Sequence, residues 1–371
     1  VELRDQAIRN MRKYLGENYR LHQRMLRNRR QDADISFLFP GLGDLRVINW
    51  PIESQQVSVE QSLDYLRESR EFSVEGQDFL RWLELYFTNP ILLAQHFQID
   101  EENKSITDKS FLQDLVFRCE QEQKAKDEIL IQFIDERLQA SLHEKIIVFC
   151  GETHSSIRLT DILKEHFDEK VERHVGDESV LAFSAGPTVR ILVCDEKGED
   201  GLNLHGGSRM LVHYSMPVDF NRLEQRNGRA NRFSANQTAQ PVQSLILCPD
   251  YEYGYLTAWI SMLDEGLNIF GESVARLQHI LTDKMREVWR QTAIKGVDAV
   301  ETFTDELKGE NGLVAQESKK IAMQEMFNAK QDEVAAVTDY AKNLELLEED
   351  LENPQGNYQR STKYMSEWVK Q

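Results

Sequence analysis

The segment KIIVFC (Lys145–Cys150) is a short apolar run of the kind that forms a strand buried on both sides. Four further strand-like runs follow it along the chain: VERH (Val171–His174), VRILVC (Val189–Cys194), RMLVHY (Arg209–Tyr214) and PVQSLILC (Pro241–Cys248). Stretches with the composition of helices separate these runs. Strands rich in Val, Ile and Leu that alternate with helices predict a parallel α/β sheet with helices on both faces.

Capping residues mark the helices between these strands. Ser155, with the serine after it, can cap a helix that runs to about Phe167, and Asp219 can cap a second helix through about Asn231. The segment before the strand VRILVC is short, so it has room for a helix of one or two turns at most, about Glu178–Phe183.

Two polar segments follow neighbouring strands. CDEKGEDGLNL (Cys194–Leu204) comes directly after one strand, and RLEQRNGRANR (Arg222–Arg232) lies on the helix after the next. Parallel α/β sheets bind their ligands at the carboxyl ends of the strands. We therefore expect these carboxylates, glycines and arginines to lie at one edge of the sheet.

Three arginines on the second segment, Arg226, Arg229 and Arg232, are spaced i, i+3, i+6 and lie roughly along one helix face. Such a row repels itself unless it faces anions, and guanidinium groups suit phosphate. A surface helix held by salt bridges, with Glu224 as a candidate partner, is the alternative that the spacing alone leaves open.

The order of these segments resembles motifs V and VI of superfamily 2 helicases of the SNF2 type. GLNL (Gly201–Leu204) stands where the family has a Gly-rich turn ending in Gly-Ile-Asn-Leu, and QRNGRANR (Gln225–Arg232) matches its motif VI in full. Lys145–Ser156 looks like motif IV. The resemblance is closest to the RapA-like branch and extends to DpdE-type helicases. It covers about Lys145–Asp250, with weaker support at 19–30 and 251–290.

The resemblance implies the second RecA-like lobe of an ATP-dependent nucleic-acid translocase, and it assigns roles to individual residues. Two arginine fingers would be catalytic: Arg229 and Arg232. Five residues would lie at the ATP, the first two of them positioning the helix or the nucleotide: Gln225, Arg226, Gly228, Asp200 and Gly201. Five would contact nucleic acid: Gly151, Thr153, His154, Ser155 and Asn203. ATP and Mg would be bound mainly by the first lobe, and this chain is expected to provide no metal site.

The chain departs from the family pattern in three places: at Asp195, in the short stretch between His174 and Val189, and in the region around 57–141, which shows no family motif. Asp195 stands where motif V often has a Thr or Ser that contacts the nucleic-acid backbone. A carboxylate facing phosphate is unfavourable, so we expect Asp195 to point elsewhere.

A phosphate-binding loop, GxxxxGK[ST], is missing, because the dipeptide Gly-Lys occurs nowhere in these 371 residues. ILVCDE (Ile191–Glu196) imitates a Walker B strand, but the segments that follow it favour motif V. The chain alone is therefore expected neither to bind ATP tightly nor to hydrolyse it, since its arginines would act across a cleft on ATP held by the first lobe.

Two other classes of function compete with this interpretation. A degenerate RecA-like lobe could serve as a protein-interaction module, which the acidic composition and Asp195 favour slightly and the intact QRNGRANR disfavours. A Rossmann-like nucleotide-binding enzyme would need GxGxxG after its first strand, and CGETHS (Cys150–Ser155) does not supply it.

The chain divides into four predicted regions: a basic helical connector at 1–56 that leaves the first lobe, an α-rich insertion at 57–142, the RecA-like lobe at 143–250 and an α-helical C-terminal region at 251–371. Within the connector, Phe39–Pro51 contains several Gly and Pro residues and is predicted to be turn-rich. Three aromatic residues of the last region are expected in the core: Trp259, Phe270 and Trp289.

Composition limits the partners and the compartment that this protein can have. The formal net charge of −19 argues against a protein that coats nucleic acid, although residues 1–31 are basic. Four scattered cysteines, none in a CxxC pair, predict buried, reduced thiols in a cytoplasmic protein. No apolar run is long enough for a membrane span. The expected partners are DNA, taken as double-stranded, the first lobe of the same full-length protein, and a protein bound through the C-terminal helices.

Overall fold

The computed structural model describes residues 41–52, 57–69, 76–100, 109–201, 209–231, 241–275 and 277–323. In this part of the chain six strands form one sheet: β1 (Leu42–Trp50), β2 (Lys145–Phe149), β3 (Val171–Arg173), β4 (Ile191–Cys194), β5 (Arg209–His213) and β6 (Val242–Pro249). Their order is β1-β6-β5-β2-β4-β3, and every neighbouring pair is parallel. The predicted RecA-like parallel sheet is confirmed.

The described helices connect and flank these strands. They are α1 (Val59–Glu68), α2 (Gly76–Thr88), α3 (Pro90–Asp100), α4 (Lys109–Ala140), α5 (Thr153–Phe167), α6 (Asp177–Ala185), α7 (Glu196–Gly201), α8 (Phe220–Ala230), α9 (Tyr255–Ser261), α10 (Gln278–Lys295) and α11 (Asp298–Leu307). The prediction of largely helical regions on both sides of the lobe is confirmed for these residues.

The central strands are apolar because both of their faces are packed. Every residue of β4 and β5 is buried, and only Lys145 of β2 is partly exposed. Side chains on both faces of such a strand are buried, so polar and apolar residues cannot alternate along it. This is why KIIVFC and the similar segments are continuous apolar runs. The strands found at these runs begin or end within two residues of their predicted bounds.

Three local predictions in the lobe need correction. Glu152, not Ser155, caps α5, because its carboxylate accepts a hydrogen bond from the Ser155 amide at 2.9 Å. Helix α6 has nine residues, longer than the one or two turns expected at Glu178–Phe183. Motif V, expected as a Gly-rich turn, contains helix α7. The predicted cap of α8 is correct, since the Asp219 carboxylate accepts from Asn221 N.

The turn-rich prediction for Phe39–Pro51 is wrong, because most of this segment is strand β1. It pairs in parallel with β6, from Leu45 opposite Ser244 to Trp50 opposite Pro249. Among the described strands β1 lies at the edge, with β6 as its one neighbour, and several of its side chains are exposed, so its sequence lacks the apolar run of a central strand. The lobe therefore includes residues of the expected connector, and α1–α4 are inserted between its first and second strands.

A buried polar cluster joins the inserted helices to the lobe. The Tyr214 hydroxyl, just after β5, donates to the Asp127 carboxylate of α4. Arg158 of α5 bonds the same carboxylate at 2.7 Å and the Tyr214 oxygen at 2.7 Å. Lys126, next to Asp127, lies over the Tyr214 ring at 4.5 Å, and burial lowers the pKa of its ammonium group to about 7. These buried contacts fix α4 against the sheet.

Two buried carboxyls extend this cluster towards α1 and α9. Glu122 of α4 accepts from Val59 N at 3.0 Å and from the Tyr86 hydroxyl at 2.6 Å. Glu60 of α1 accepts from Leu256 N at 2.9 Å and so holds the first turn of α9. Burial raises the pKa of both carboxyls, that of Glu60 to about 8.

The raised pKa of Glu60 predicts a pH dependence of stability. The folded protein keeps this proton to about pH 8, whereas an unfolded Glu loses it near pH 4.3. The folded state thus binds more protons than the unfolded state across that window, and stability falls as the pH rises. We expect the free energy of unfolding to fall, relative to Glu60→Gln, by up to about 1.4 kcal/mol per pH unit between about pH 5 and 7.

Urea unfolding of both proteins at several pH values measures this difference. Glu84→Gln, at an exposed carboxylate of α2, is the matched control. Parallel pH profiles for the native protein and Glu60→Gln would show that Glu60 does not retain its proton in the folded state.

The helices after β6 continue the core of the unit that ends at Asp305. Trp259 of α9 packs against Trp289 of α10, with ring centroids 4.9 Å apart, and its indole N–H donates to the Pro217 carbonyl at 3.1 Å. Phe270 is fully buried. The prediction that these aromatics belong to the core is correct for Trp259 and Phe270, and Trp289 is half-buried. Residues 313–323, in a second compact unit, are helical.

Candidate active site at the carboxyl edge

Three central strands end side by side and bring the predicted motifs together. Strand β2 lies between β5 and β4, so the segments after their last residues meet at one edge of the sheet. Gly151 follows β2, helix α7 follows β4, and Ser215 with helix α8 follows β5. The expectation that the carboxylates and arginines share this edge is met by their contacts.

Glu199 of α7 is the centre of the site. Its side chain is 3% exposed and accepts hydrogen bonds from two arginines of α8, Arg222 Nε at 2.8 Å and Arg226 Nη2 at 2.6 Å. Its backbone carbonyl accepts from a third, Arg229 Nε, at 2.8 Å. One residue of motif V therefore holds three arginines that are spaced i, i+4, i+7 on one helix.

Arg226 is a buried residue that holds this edge of the sheet together. It is fully buried, and besides Glu199 it donates to the Ser215 carbonyl at 2.6 Å and to the Ser215 hydroxyl at 3.0 Å. Its guanidinium lies 5.2 Å from the centre of the Phe149 ring. Burial lowers the pKa of this guanidinium, and the Glu199 carboxylate opposes that shift. With its donors directed at protein groups, Arg226 can orient α8.

Of the predicted arginine row, the salt-bridge alternative applies to Arg226, but with a different carboxylate, Glu199, which also binds Arg222. Glu224, the candidate partner, instead accepts from Ser273 and from Val274 N at 3.2 Å. Glu199 and Ser215 were not predicted from the sequence. The signal for Glu199 was present, because a carboxylate in motif V had to face arginines on the adjacent helix.

Arg229 is held differently from Arg226. It is half-buried, and its Nε is anchored on the Glu199 carbonyl. Within the described residues no group accepts from its two terminal nitrogens. One residue earlier, Gly228 has open space where a Cβ would stand, and Gln225 is exposed one turn before Arg229. This face of α8 is open to a ligand or a partner domain.

The remaining predicted residues of motifs V and VI are only partly described. Asp200 and Gly201 form the end of α7, and nothing is described of the Asp200 side chain. Asn203 and Arg232 lie outside the described residues. The predicted site is thus assembled through Gln225, Arg226, Gly228 and Arg229.

Asp195, a departure from the family pattern, has a structural role. Its carboxylate accepts from the amides of Lys197 at 3.1 Å and Gly198 at 3.3 Å, which caps the N-terminus of α7. It also accepts from the Thr153 hydroxyl at 2.8 Å. The carboxylate is 3% exposed. It therefore points away from solvent, as expected, and connects motif IV to motif V.

The predicted nucleic-acid residues of motif IV divide into two groups. Thr153 and His154 are exposed at the start of α5 and can reach a ligand. Gly151 and Ser155 are buried; Ser155 accepts a hydrogen bond from Asn89 Nδ2 at 2.7 Å. The second pair can shape the turn between β2 and α5, but does not present side chains to solvent.

Gly151 is required by the backbone of this turn. Its φ is +83°, and a Cβ there would lie 2.9 Å from Thr88 Cγ2. We expect Gly151→Ala to lower the free energy of unfolding by about 2 kcal/mol, because a left-handed conformation and a collision both oppose the methyl group. Urea unfolding at fixed pH measures it.

Gly228→Ala is the matched control for Gly151→Ala. Position 228 lies inside α8 with no atom within 4 Å of the added methyl group, so this change should stabilise by about 0.5–1 kcal/mol. Equal effects at the two glycines would contradict the assigned backbone geometry.

Among the described residues no group of three or more His, Cys, Asp or Glu side chains is arranged to hold a metal ion. All four cysteines are buried and free, as predicted. No helix in the described part of the chain is long and apolar enough to span a membrane.

Comparison with known proteins finds a family match over part of this sheet. Residues 125–234 match the family described as helicase conserved C-terminal domain. These residues contain β2–β5 and α5–α8. The segment is a helicase C-terminal domain, and the match begins within α4, earlier than the predicted lobe boundary of 143.

Two relatives of known identity are RapA proteins. The chain is similar to RNA polymerase-associated protein RapA of Sodalis glossinidius (strain morsitans), with 27% identity over 148 residues, or 38% of this chain and 15% of RapA. It is also similar to RapA of Proteus mirabilis (strain HI4320), with 29% identity over 108 residues, or 27% of this chain and 11% of RapA. Over these residues the chain is similar to RapA, and it spans a small part of the length of these relatives.

Two solved structures are similar to part of this chain. The Pyrococcus furiosus Hef helicase domain is 18% identical, with a TM-score of 0.42 over 62% of this chain and 60% of that one. The C-terminal part of the Fun30 ATPase domain is 10% identical, with a TM-score of 0.39 over 67% of this chain and 96% of that one.

Proposed function

We propose that this chain is the second RecA-like lobe of an SNF2-type, ATP-dependent nucleic-acid translocase, and that it supplies arginine fingers for ATP hydrolysis. The contact between Arg229 Nε and the Glu199 carbonyl carries this proposal. It holds the guanidinium at the carboxyl edge of the sheet by one nitrogen and leaves the terminal pair for a phosphate. Arg232, one turn further along the sequence, is proposed as the second finger.

Each described residue of the site has a separate task in this proposal. Arg226 and Glu199 fix the orientation of α8, so that Arg229 need not be ordered at the moment of reaction. Gln225 and Gly228, on the open side of the helix, would face the nucleotide and the first lobe. Asp200 and Gly201 would lie near the ribose.

ATP and Mg would be held mainly by the first lobe. Mg bound to the phosphates supplies neutralisation of the charge that develops during phosphoryl transfer. The donor set described here fits the complementary role: it offers guanidinium groups for phosphate oxygens, and no cluster of carboxylates for a cation. The chain alone is therefore proposed to be inactive.

Nucleic acid would be contacted through the start of α5. Thr153 and His154 are exposed there, and Gly151 and Ser155 keep the turn in place. The tracked partner is proposed to be double-stranded DNA. The net charge of −19 requires a local contact, since the surface as a whole repels phosphate.

The domain limits proposed for the parent follow the sheet. The connector at 1–56 would enter the lobe at β1, and the lobe would continue at 143–250 after the helices of 57–142. The region 251–371 would brace the lobe through α9 and α10 and carry the contact to a protein partner. RapA is named for its association with RNA polymerase; a transcription enzyme is accordingly one partner to test.

The interaction-module alternative has lost part of its support. Asp195 favoured it as a defect in motif V, but this carboxylate caps α7 and binds Thr153. The arginines of motif VI, in turn, are ordered by Glu199 rather than dispersed on a surface.

ATP hydrolysis by the full-length parent, with and without duplex DNA, tests the proposal. We expect stimulation by DNA in the parent and no hydrolysis by the 371-residue chain alone. Arg229→Ala in the parent is the decisive variant. A parent without ATPase activity, or a chain that hydrolyses ATP by itself, would contradict the proposal.

A further inference from the structure

Helix α8 is held on a second side, away from its arginine face. Glu224 and Asn227 are three residues apart and share one face of the helix, whereas the arginines bound by Glu199 share another. Both residues contact the segment 269–274 (IFGESV), which follows α9 and lies outside the residues that match the helicase family. The C-terminal region thus contacts the helix that carries Arg229.

Glu224 and Asn227 each make a polar contact with this segment. The Glu224 carboxylate accepts from the Ser273 hydroxyl and, at 3.2 Å, from Val274 N. Asn227 Nδ2 donates to the Ile269 carbonyl at 2.9 Å. A carbonyl oxygen only accepts, so this contact orients the amide with its nitrogen towards the segment. Because the two contacts lie one helical turn apart, together they oppose rotation of α8 about its axis.

The segment 269–274 is itself anchored in the core. Three of its side chains are at most 4% exposed: Ile269, Phe270 and Val274. The Phe270 ring meets the ring of His213, the last residue of β5, edge-on, with centroids 5.6 Å apart. Just before the segment, Asn268 has a left-handed φ of +52°, and its carbonyl accepts from two of the amides that follow. A segment anchored in this way can transmit a displacement of the C-terminal helices to α8.

Asn227 contributes direction to α8 more than stability. Its side chain is 2% exposed, and among the described residues its Oδ1 has no hydrogen-bond partner. An unsatisfied buried oxygen is destabilising and offsets much of the gain from one amide hydrogen bond. A leucine, which has a similar shape, would avoid this cost. The main effect of the amide is therefore to fix the geometry of the helix.

Small rotations of α8 matter at Arg229. Side chains extend about 5–6 Å from a helix axis, so a rotation of about 10° displaces a guanidinium by about 1 Å. A displacement of about 1 Å at a group that acts on the reacting atoms can lower turnover about a hundredfold. Within the described residues, Arg229 is held through Nε alone, by the Glu199 carbonyl. The position of its terminal nitrogens therefore follows the position of the helix.

We propose that Glu224 and Asn227 are positioning residues for Arg229, and that the segment 269–274 sets the rate of ATP hydrolysis by fixing the rotation of α8. This inference rests on the proposed translocase function and adds its regulation. The helices after β6 become the place where a bound partner changes hydrolysis without touching ATP.

Steady-state ATPase assays of the full-length parent with duplex DNA test the two residues. Glu224→Ala and Asn227→Leu should each lower kcat about tenfold or more and leave the KM for ATP within about twofold, because they displace Arg229 and remove no contact to the nucleotide. Glu224→Gln should recover most of the turnover. Its amide oxygen can accept from Val274 N, and its amide nitrogen can donate to the Ser273 hydroxyl.

Two variants of the segment itself complete the test. Ser273→Ala, at an exposed position, removes one of the two donors to Glu224 and should lower kcat about threefold. Glu272→Ala, at the exposed position before it, is the matched control and should leave kcat unchanged. Circular dichroism at the assay temperature should give the spectrum of the parent for every variant, so that a lower kcat is not the result of unfolding.

The outcomes separate this inference from the proposed function. The inference alone is overturned if Arg229→Ala lowers turnover about a thousandfold while Glu224→Ala and Asn227→Leu stay within about twofold of the parent. It is also overturned if Glu224→Gln is as impaired as Glu224→Ala, or if KM rises and kcat does not fall. Parental turnover in Arg229→Ala would overturn both the proposed function and this inference.

Discussion

Arg229→Ala in the full-length parent is expected to lower DNA-stimulated ATP turnover by about a thousandfold or more, while the KM for ATP changes little. The guanidinium is held through Nε by the Glu199 carbonyl, and no described group accepts from its terminal nitrogens. Such a group acts on charge that develops during phosphoryl transfer, so its loss affects turnover more than binding. Arg232→Ala is expected to act in the same direction.

Two controls separate this effect from general loss of charge. Arg286→Ala removes an exposed arginine of α10 that pairs only with Asp283 among the described residues, and should leave turnover unchanged. Arg229→Lys keeps the charge but not the fork of donors and should stay severely impaired. Steady-state ATPase assays with and without duplex DNA measure all variants. Turnover within about twofold of the parent for Arg229→Ala would reject the arginine-finger role.

Glu199→Ala is expected to destabilise the lobe by about 3–5 kcal/mol, because Arg226 would remain fully buried without its carboxylate. Arg222, in the first turn of α8, would lose its hydrogen bond to Glu199 at the same time. Urea unfolding of the 371-residue chain gives the free energy directly. Glu287→Ala, which removes an exposed partner of Arg290 on α10, should leave it nearly unchanged, because a pair in solvent is screened by water.

A second substitution shows whether the loss comes from the unpaired charge. Combining Glu199→Leu with Arg226→Met removes both buried charges, and the double variant should be more stable than Glu199→Leu alone. A double variant that is less stable than Glu199→Leu would show that Arg226 contributes through its contacts with Ser215 and Phe149 rather than through the ion pair.

The central strands and the two motif helices were accessible from the sequence because each has a local pattern. Strands packed on both faces must be apolar throughout, and Asp219 is a capping residue placed just before α8. The order of the motifs then indicated the helicase lobe, which the family match supports. None of these inferences required knowledge of a distant contact.

The edge strand and the motif V helix were not accessible in the same way. Strand β1 is specified by its hydrogen bonds to β6, which lies about two hundred positions later in the chain, and its own sequence contains Gly and exposed side chains. Helix α7 has six residues, two of them glycine, and forms because Asp195 caps it and the arginines of α8 bind Glu199.

The sequence by itself determined the class of the lobe and the residue types of its site, since apolar runs, caps and the spacing of arginines are local properties of the chain. Only the tertiary structure decided what each arginine does. Arg226 and Arg229 are three residues apart on one helix, yet one is fully buried against Glu199 and Ser215 and the other is anchored by a single nitrogen at the open edge. That difference depends on packing between α7, α8 and β5, because burial and hydrogen-bond partners are set by residues brought together from different strands.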